Sequence, residues 1–104
     1  MEIVKAYRMW KVELWNDDTP ENDHFEKYFG SYDEALEFVK TDVAEEWDVT
    51  LEEIKSGKLN GYSDNSYTIV WSDSMMRLYM EVVNGNRSDY LRLDPHYIET
   101  TKGD

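Results

Sequence analysis

Carboxylates are the one chemically active group this chain holds in number: 23 Asp and Glu stand against 11 Lys and Arg, two His and no Cys. Their densest loop is "DDTPENDH", residues 17–24. Counted from Asp17, the alternate positions that ligate calcium in an EF-hand are Asp17, Thr19, Glu21 and Asp23. Such a loop also needs Gly at its sixth position and Glu at its twelfth. This chain has Asn22 and Tyr28 there, so the loop reads as solvated acid rather than a metal site. His24 and His96 are far apart in sequence, each beside polar residues, and read as ordinary surface residues. No serine occupies a G-x-S-x-G elbow. The five glycines, at 30, 57, 61, 85 and 103, are scattered at turns and form no phosphate loop. Among so many acids two can always fall within acid–base distance, but no pattern marks which two. The expectation is a protein without catalytic residues, cofactor or metal.

What the acids do have is a location. Residues 1–15 carry net +1, residues 16–34 −6 and residues 35–56 −5; residues 57–74 and 75–104 carry −1 each. A field concentrated in this way repels nucleic acid and lipid headgroups and attracts basic protein surfaces.

The element that must present them is "SYDEALEFVKTDVAEEWD", residues 31–48, whose spacing predicts one long amphipathic helix. Ser31 and Glu34 form the sequence of a capping box. At about 100° per residue, Tyr32, Ala35, Leu36, Val39, Val43 and Trp47 share an apolar arc of about 120°. The opposite arc carries Asp33, Glu34, Glu37, Glu45 and Asp48, with Thr41 near its middle. Asp33 and Glu37 are an i,i+4 like-charge pair costing about 0.2–0.5 kcal/mol. Glu45, Glu46 and Asp48 sit where the helix dipole disfavours anions by about 0.3–1 kcal/mol each. Lysine at 45 and 48 would favour the helix. Either the acids serve solubility, with Asp48 helping to start the next helix, or they meet a basic surface on another protein. One helical row supplies a charge per about 6 Å, against one per about 1.7 Å of duplex DNA axis. Imitating a duplex needs a second row, which the loop acids Asp17, Asp18, Glu21 and Asp23 and the short helix acids Glu52 and Glu53 are placed to give.

Around the helix the pattern is that of strands. In "IVKAYRMWKVELW", residues 3–15, Arg8, Trp10, Val12 and Leu14 alternate with Tyr7, Met9, Lys11, Glu13 and Trp15. "HFEKYFG" is a short strand with Phe25 and Phe29 on one face. "TLEE", Thr50 to Glu53, is a second capping box opening a short helix that Gly57 closes. "SYTIVWS", "MMRLYMEVV" and "SDYLRL" follow as three strands, separated by "SDS" and by "NGN". The layout ββα(α)βββ predicts an α+β domain: an antiparallel sheet of about five strands with one long helix packed on one face. One domain spans residues 1–98, and residues 99–104 are expected as a disordered tail, with Tyr97 and Ile98 as its anchors. The absence of Cys and of any long apolar run fits a cytoplasmic protein with no membrane span.

In size, in the acidic block over 16–56 and in the "FGSYDEALEFVKTDVAEEW" strand-to-helix passage, the chain resembles small acidic inhibitors encoded by phages and mobile elements. These are anti-CRISPR and anti-restriction proteins, some of them DNA mimics, and the immunity proteins of nuclease toxins. The resemblance implies a stoichiometric inhibitor, without cofactor, whose carboxylates occupy a site meant for phosphates. The near-neutral residues 57–104 allow only one side to act in this way.

The expected function is thus a non-catalytic acidic inhibitor bound to the basic nucleic-acid-binding surface of a nuclease or CRISPR effector. Its partner-binding residues would be Asp17, Asp18, Glu21, Asp23, Asp33, Glu34, Glu37, Glu45, Asp48, Glu52 and Glu53. The alternative is a protein-interaction or assembly module, as a homodimer, using a sheet edge or aromatics such as Tyr7, Trp15 and Tyr28.

Overall fold

The computed structural model describes residues 4–17, 25–85 and 87–101. Five strands form one antiparallel sheet: β1 (Val4–Asn16), β2 (Phe25–Phe29), β3 (Tyr67–Ser72), β4 (Arg77–Asn84) and β5 (Arg87–Thr101). Their order across the sheet is β2-β1-β5-β4-β3. The two end-most segments of the chain therefore lie in the middle of the sheet, and β2 and β3 are its opposite edges. The chain must travel from one edge to the other between Phe29 and Tyr67. It does so over a single face, and that crossing carries α1 (Tyr32–Phe38) and α2 (Leu51–Ser56).

Alternation fixes which face is covered. The register aligns Val12 with Leu93, Leu93 with Leu78 and Leu78 with Trp71; the next row aligns Leu14, Leu91, Met80 and Ile69. Val12, Leu78, Met80, Leu91 and Leu93 are at most 1% exposed, and Ala35, Val39 and Val43 close over them. The alternation predicted for β1 is observed, with Trp10 and Val12 buried on the covered side, and the pairing of Phe25 and Phe29 on one face agrees with this arrangement. Phe25 and Phe29 both pack on Phe38, with ring centroids 5.8 and 5.3 Å away.

The long helix expected over residues 31–48 is not formed. An α-helix of seven residues, Tyr32–Phe38, passes into a π-helical turn, Val39–Val43, and then into turns. The physical reason is the spacing of the apolar residues. Ala35, Val39, Val43 and Trp47 recur every four positions, whereas a straight α-helix repeats every 3.6, so the stripe would drift by about 40° per step. Continued straight, the α-helix would bury Glu46 inside the apolar arc and expose Ala44. The π turn inserts one extra residue in the turn, marked by Ala44 N–H donating to the Val39 carbonyl at 2.7 Å. Ala44 thereby becomes 1% exposed, while Asp42 and Glu46 turn outward. Thr41 Oγ1 donates to the Glu37 carbonyl at 2.8 Å, a back-bond of the kind that bends helices.

The passage ends in a Schellman motif. Val49 N–H reaches the Ala44 carbonyl at 2.9 Å, Asp48 N–H reaches the Glu45 carbonyl at 3.2 Å, and Asp48 itself is left-handed at φ 57°. The second capping box is present as read: Thr50 Oγ1 accepts from Glu53 N–H at 3.1 Å and the Glu53 carboxylate accepts from Thr50 N–H at 3.2 Å, with Gly57 at φ 78° closing α2. At the first helix, Ser31 Oγ accepts from Glu34 N–H at 3.1 Å.

Residues 99–101, expected in a disordered tail, belong to a strand. β5 continues to Thr101 and pairs with β1 along its whole length, Glu99 opposite Ala6 and Thr101 opposite Val4; residues 102–104 lie outside the described residues. Tyr97 is 62% exposed and anchors nothing, and the Ile98 side chain lies outside the described set. Beyond Trp10 and Asp94 the pair β1–β5 runs on with no third strand beside it among the described residues. That extension accounts for a radius of gyration of 16.0 Å, against about 13 Å for a compact chain of this length.

Candidate protein-binding surface

The crossing from edge to edge places nine acids and two lysines, residues 31–56, as a layer on the covered side of the sheet. Seven of the acids on its first limb are exposed: Asp33, Glu34, Glu37, Asp42, Glu45, Glu46 and Asp48. Glu52, at the start of α2, is exposed as well. Among the described residues the ion pairs formed are Lys11–Glu13 and Arg87–Asp89, each at 3.1 Å. Neither involves this layer, whose eight exposed carboxylates form no ion pair among the described residues.

The residues singled out from sequence divide into five groups. Asp33, Glu34, Glu37, Glu45 and Asp48 are brought onto the one layer. Asp18, Glu21 and Asp23 lie outside the described residues, and so does His24. Asp17 is at the far end of β1, where its carboxylate accepts from Ser88 N–H at 3.2 Å while its own N–H bonds the Ser88 carbonyl. Glu53 is committed to structure: besides Thr50 it accepts from Asn60 N–H at 2.7 Å. Those backbone donors, Asn60 first, hold its carboxyl below the usual range. Glu52 alone remains on α2 with a free carboxylate.

Asp42 and Glu46 join the layer although straight-helix geometry puts them at the edge of, or inside, the apolar arc. The sequence did contain the signal, since a Glu at the centre of an apolar stripe is inconsistent with an undistorted α-helix. Thr41 Oγ1 also donates to Asp42 Oδ1 at 2.9 Å, orienting that carboxylate at the surface.

Among the described residues no helix lies over the opposite side of the sheet. Trp15 stacks on Tyr90 at 5.2 Å with 7° between planes, and the Arg92 guanidinium lies over Trp15 at 5.2 Å. Tyr28, 40% exposed, meets His96 edge-on at 5.4 Å. Of the aromatics read as surface candidates, Tyr28 and the half-buried Trp15 are here, and the Tyr7 side chain lies outside the described set. Lys11, Arg77 and Arg92 share this side with Glu13, Glu26, Glu81 and Asp94, so its charges nearly balance.

A cleft of about 360 Å³ separates the Schellman end of the helical passage from the β4–β5 turn, lined by Glu46, Trp47, Asp48, Tyr62, Arg87 and Asp89 among others. Arg87 is held there on Asp89, and the Tyr62 hydroxyl donates to the Trp47 carbonyl at 3.0 Å. Among the described residues no group of three or more His, Cys, Asp or Glu side chains is arranged to hold a metal ion, and no helix is long and apolar enough to cross a membrane. Comparison with protein-family models, curated proteins and solved structures finds no match.

Proposed function

We propose that the protein is a non-catalytic inhibitor that lays its acidic helical layer on the basic nucleic-acid-binding surface of a partner protein, a nuclease or CRISPR effector. The observation that supports this most is the run of seven exposed carboxylates from Asp33 to Asp48, none in an ion pair among the described residues. With Lys40 in the same run, residues 33–48 carry a net charge of −6 on one layer, a single band of negative charge rather than the paired rows of a duplex.

Complementary charge of this kind accelerates encounter and selects the partner more than it adds final affinity. Glu34, Glu37 and Glu45 occupy exposed, unstrained positions and are the residues to reverse. Asp48 is left-handed, and its charge is removed without backbone cost as Asn. The partner is captured from host lysate at low salt, and the Glu34→Lys, Glu37→Lys, Glu45→Lys, Asp48→Asn variant is then compared in binding and in inhibition of the captured protein's nucleic-acid activity. Loss of both with an unchanged circular dichroism spectrum is the expected result. Full inhibition by the folded variant removes the layer from the interface.

A further inference from the structure

The two outer strands of the sheet, β2 and β3, offer very different edges. We infer that the β3 edge pairs with the β3 edge of a second copy, antiparallel about a two-fold axis through Ile69, to make one continuous ten-stranded sheet.

The ladder between β3 and β4 fixes which backbone groups the edge presents. Tyr67 lies opposite Val82, and Val83 N–H donates to the Ser66 carbonyl at 2.7 Å. Tyr67 and Val82 are therefore a non-hydrogen-bonded pair, and Thr68, Val70 and Ser72 are the strand residues that exchange bonds with β4. Tyr67, Ile69 and Trp71 turn their main-chain N–H and C=O groups outward, where nothing bonds them among the described residues. Three residues thus leave three donors and three acceptors on the edge. With the axis at Ile69, that residue meets Ile69 of the second copy, and Tyr67 meets Trp71 of the second copy at both ends. All six groups of each copy are then used, in six hydrogen bonds. Moving the axis to Thr68 or Val70 keeps four of them within the strand. Side chains agree with the same register: Thr68 faces Val70 of the second copy, and the aromatic pair Tyr67 and Trp71 falls on the covered side. Past the strand ends Asp73 comes opposite Asn65, so no two like charges are opposed.

The edge itself argues for this occupant. Its sequence, Tyr-Thr-Ile-Val-Trp-Ser, holds no charge and no proline. The other open edges among the described residues all do: β2 has Glu26 and Lys27, β1 before Trp10 has Lys5 and Arg8, and β5 after Asp94 has Pro95 and Glu99. Residues of those kinds keep strand edges from pairing. Thr68 and Val70 are exposed, and Tyr67, Ile69 and Trp71 are only half-buried although they point to the covered side. The longest stretch outside the described residues, 18–24, joins β1 to β2 at the opposite edge. A basic partner finds no carboxylate on this strand, whereas a neutral edge matches its own copy. The charges of α1 lie far from the contact, because α1 packs on β1 and β2 and β5 and β4 stand between. The axis is perpendicular to the sheet, so both helical layers stay on one side of it and remain exposed. The dimer holds or fails independently of what they bind.

Five paired residues span about 17 Å, a small and reversible contact, so it is sought by sedimentation equilibrium of the full chain from about 10 to 500 μM. The mass should rise from 12.4 kDa toward twice that value. Each copy carries −12, so added salt should strengthen association by screening repulsion, the reverse of its effect on an acidic layer docked to a basic partner. Hydrogen exchange at the Tyr67, Ile69 and Trp71 amides should slow as concentration rises. The T68K/V70K variant opposes like charges at two symmetry-related points and should associate about tenfold more weakly or worse. The T68K/V70E variant, altered at the same exposed positions, opposes unlike charges and should still pair, with circular dichroism verifying both folds. A parent that remains at 12.4 kDa throughout overturns the proposal. So does a dimer that salt dissociates, one that leaves the three amides unprotected, or a pair of variants that behave alike.

Discussion

Trp71 Nε1 donates to the Tyr32 hydroxyl at 2.9 Å, and that hydroxyl in turn donates to Asp73 Oδ1 at 3.0 Å. The first turn of α1 is thus tied to β3 and to the turn that follows it, 39 and 41 residues further along the chain. Lys55, on α2, lies over the Trp71 ring at 4.7 Å, so both ends of the acidic layer are referred to one indole. Tyr32→Phe removes the acceptor of a half-buried N–H as well as the bond to Asp73. The expected loss of stability is about 1–2 kcal/mol, read from urea unfolding with an unchanged m-value. A variant as stable as the parent would show that the helix is held by its apolar face alone.

The same hydroxyl gives the stability a pH dependence. Burial, and then Asp73 as acceptor, raise the Tyr32 pKa above its ordinary 10. Burial raises Tyr79 as well, and the hydrogen bond to Asp17 raises Tyr90. A group whose pKa is higher in the folded state holds its proton more tightly there. Its contribution is complete below pH 10 and is lost as pH climbs from 10 through the folded values. Stability should therefore fall on the alkaline side from about pH 10, and Tyr32→Phe combined with Tyr79→Phe should flatten that limb. Unfolding free energies measured between about pH 8 and 11.5 decide it; equal slopes for parent and double variant would contradict the assignment.

Asp48 bears on how the acidic layer is to be probed. Its φ of 57° is a conformation that costs an ordinary L-residue about 1–2 kcal/mol and costs Gly nothing, with Asn and Asp between. Asp48→Gly should raise stability by several tenths of a kcal/mol or more, Asp48→Asn should leave it unchanged, and Asp48→Val should lower it by at least about 1 kcal/mol. Thermal unfolding of the three variants separates the backbone requirement from the charge. A stability order that followed charge instead, with Asn and Val alike, would deny Asp48 its role as terminator.

These features differ in how far the sequence discloses them. Strand alternation, the Thr50–Glu53 box and the Gly57 cap depend on neighbours within a few residues, and all were legible; which set of β1 turns inward was not, because both sets carry aromatics. The length of the helix was misjudged although its signal was present: the four-residue recurrence of Ala35, Val39, Val43 and Trp47 fits an arc of about 120° on paper, but a straight helix leaves Glu46 inside that arc. Only contact with a twisted sheet requires the stripe to stay in line, and the π turn supplies that. Asp42 and Glu46 were missed for the same reason, and the left-handed backbone of Asp48 was not read from its neighbours. Glu53 failed as a free carboxylate for another reason: its bond to Asn60 N–H depends on how the chain leaves α2. The order β2-β1-β5-β4-β3 was equally hidden, since pairing of the first strand with the last is a long-range event that no local pattern encodes.

Glu45 and Glu46 offer a measurement in which fold and function should move in opposite directions. Both are exposed in the turns that close the helical passage, three and two residues before its left-handed terminator. The last carbonyls of that passage present partial negative charge, and each anion there costs about 0.3–1 kcal/mol, where a lysine would contribute a similar amount of stabilisation. Glu45→Lys with Glu46→Lys should therefore raise the unfolding free energy and shift Tm upward. If the acids are there to meet a basic partner, the same variant should bind it more slowly, and the loss should shrink as salt is raised toward 0.5 M, where screening has already removed most of the attraction. If they serve dispersion alone, the variant gains stability, binds its partner as well as the parent does, and changes only in solubility. A protein that keeps two anions at a helix end against its own stability has that difference to explain, and the salt dependence of the association rate is where the explanation is read.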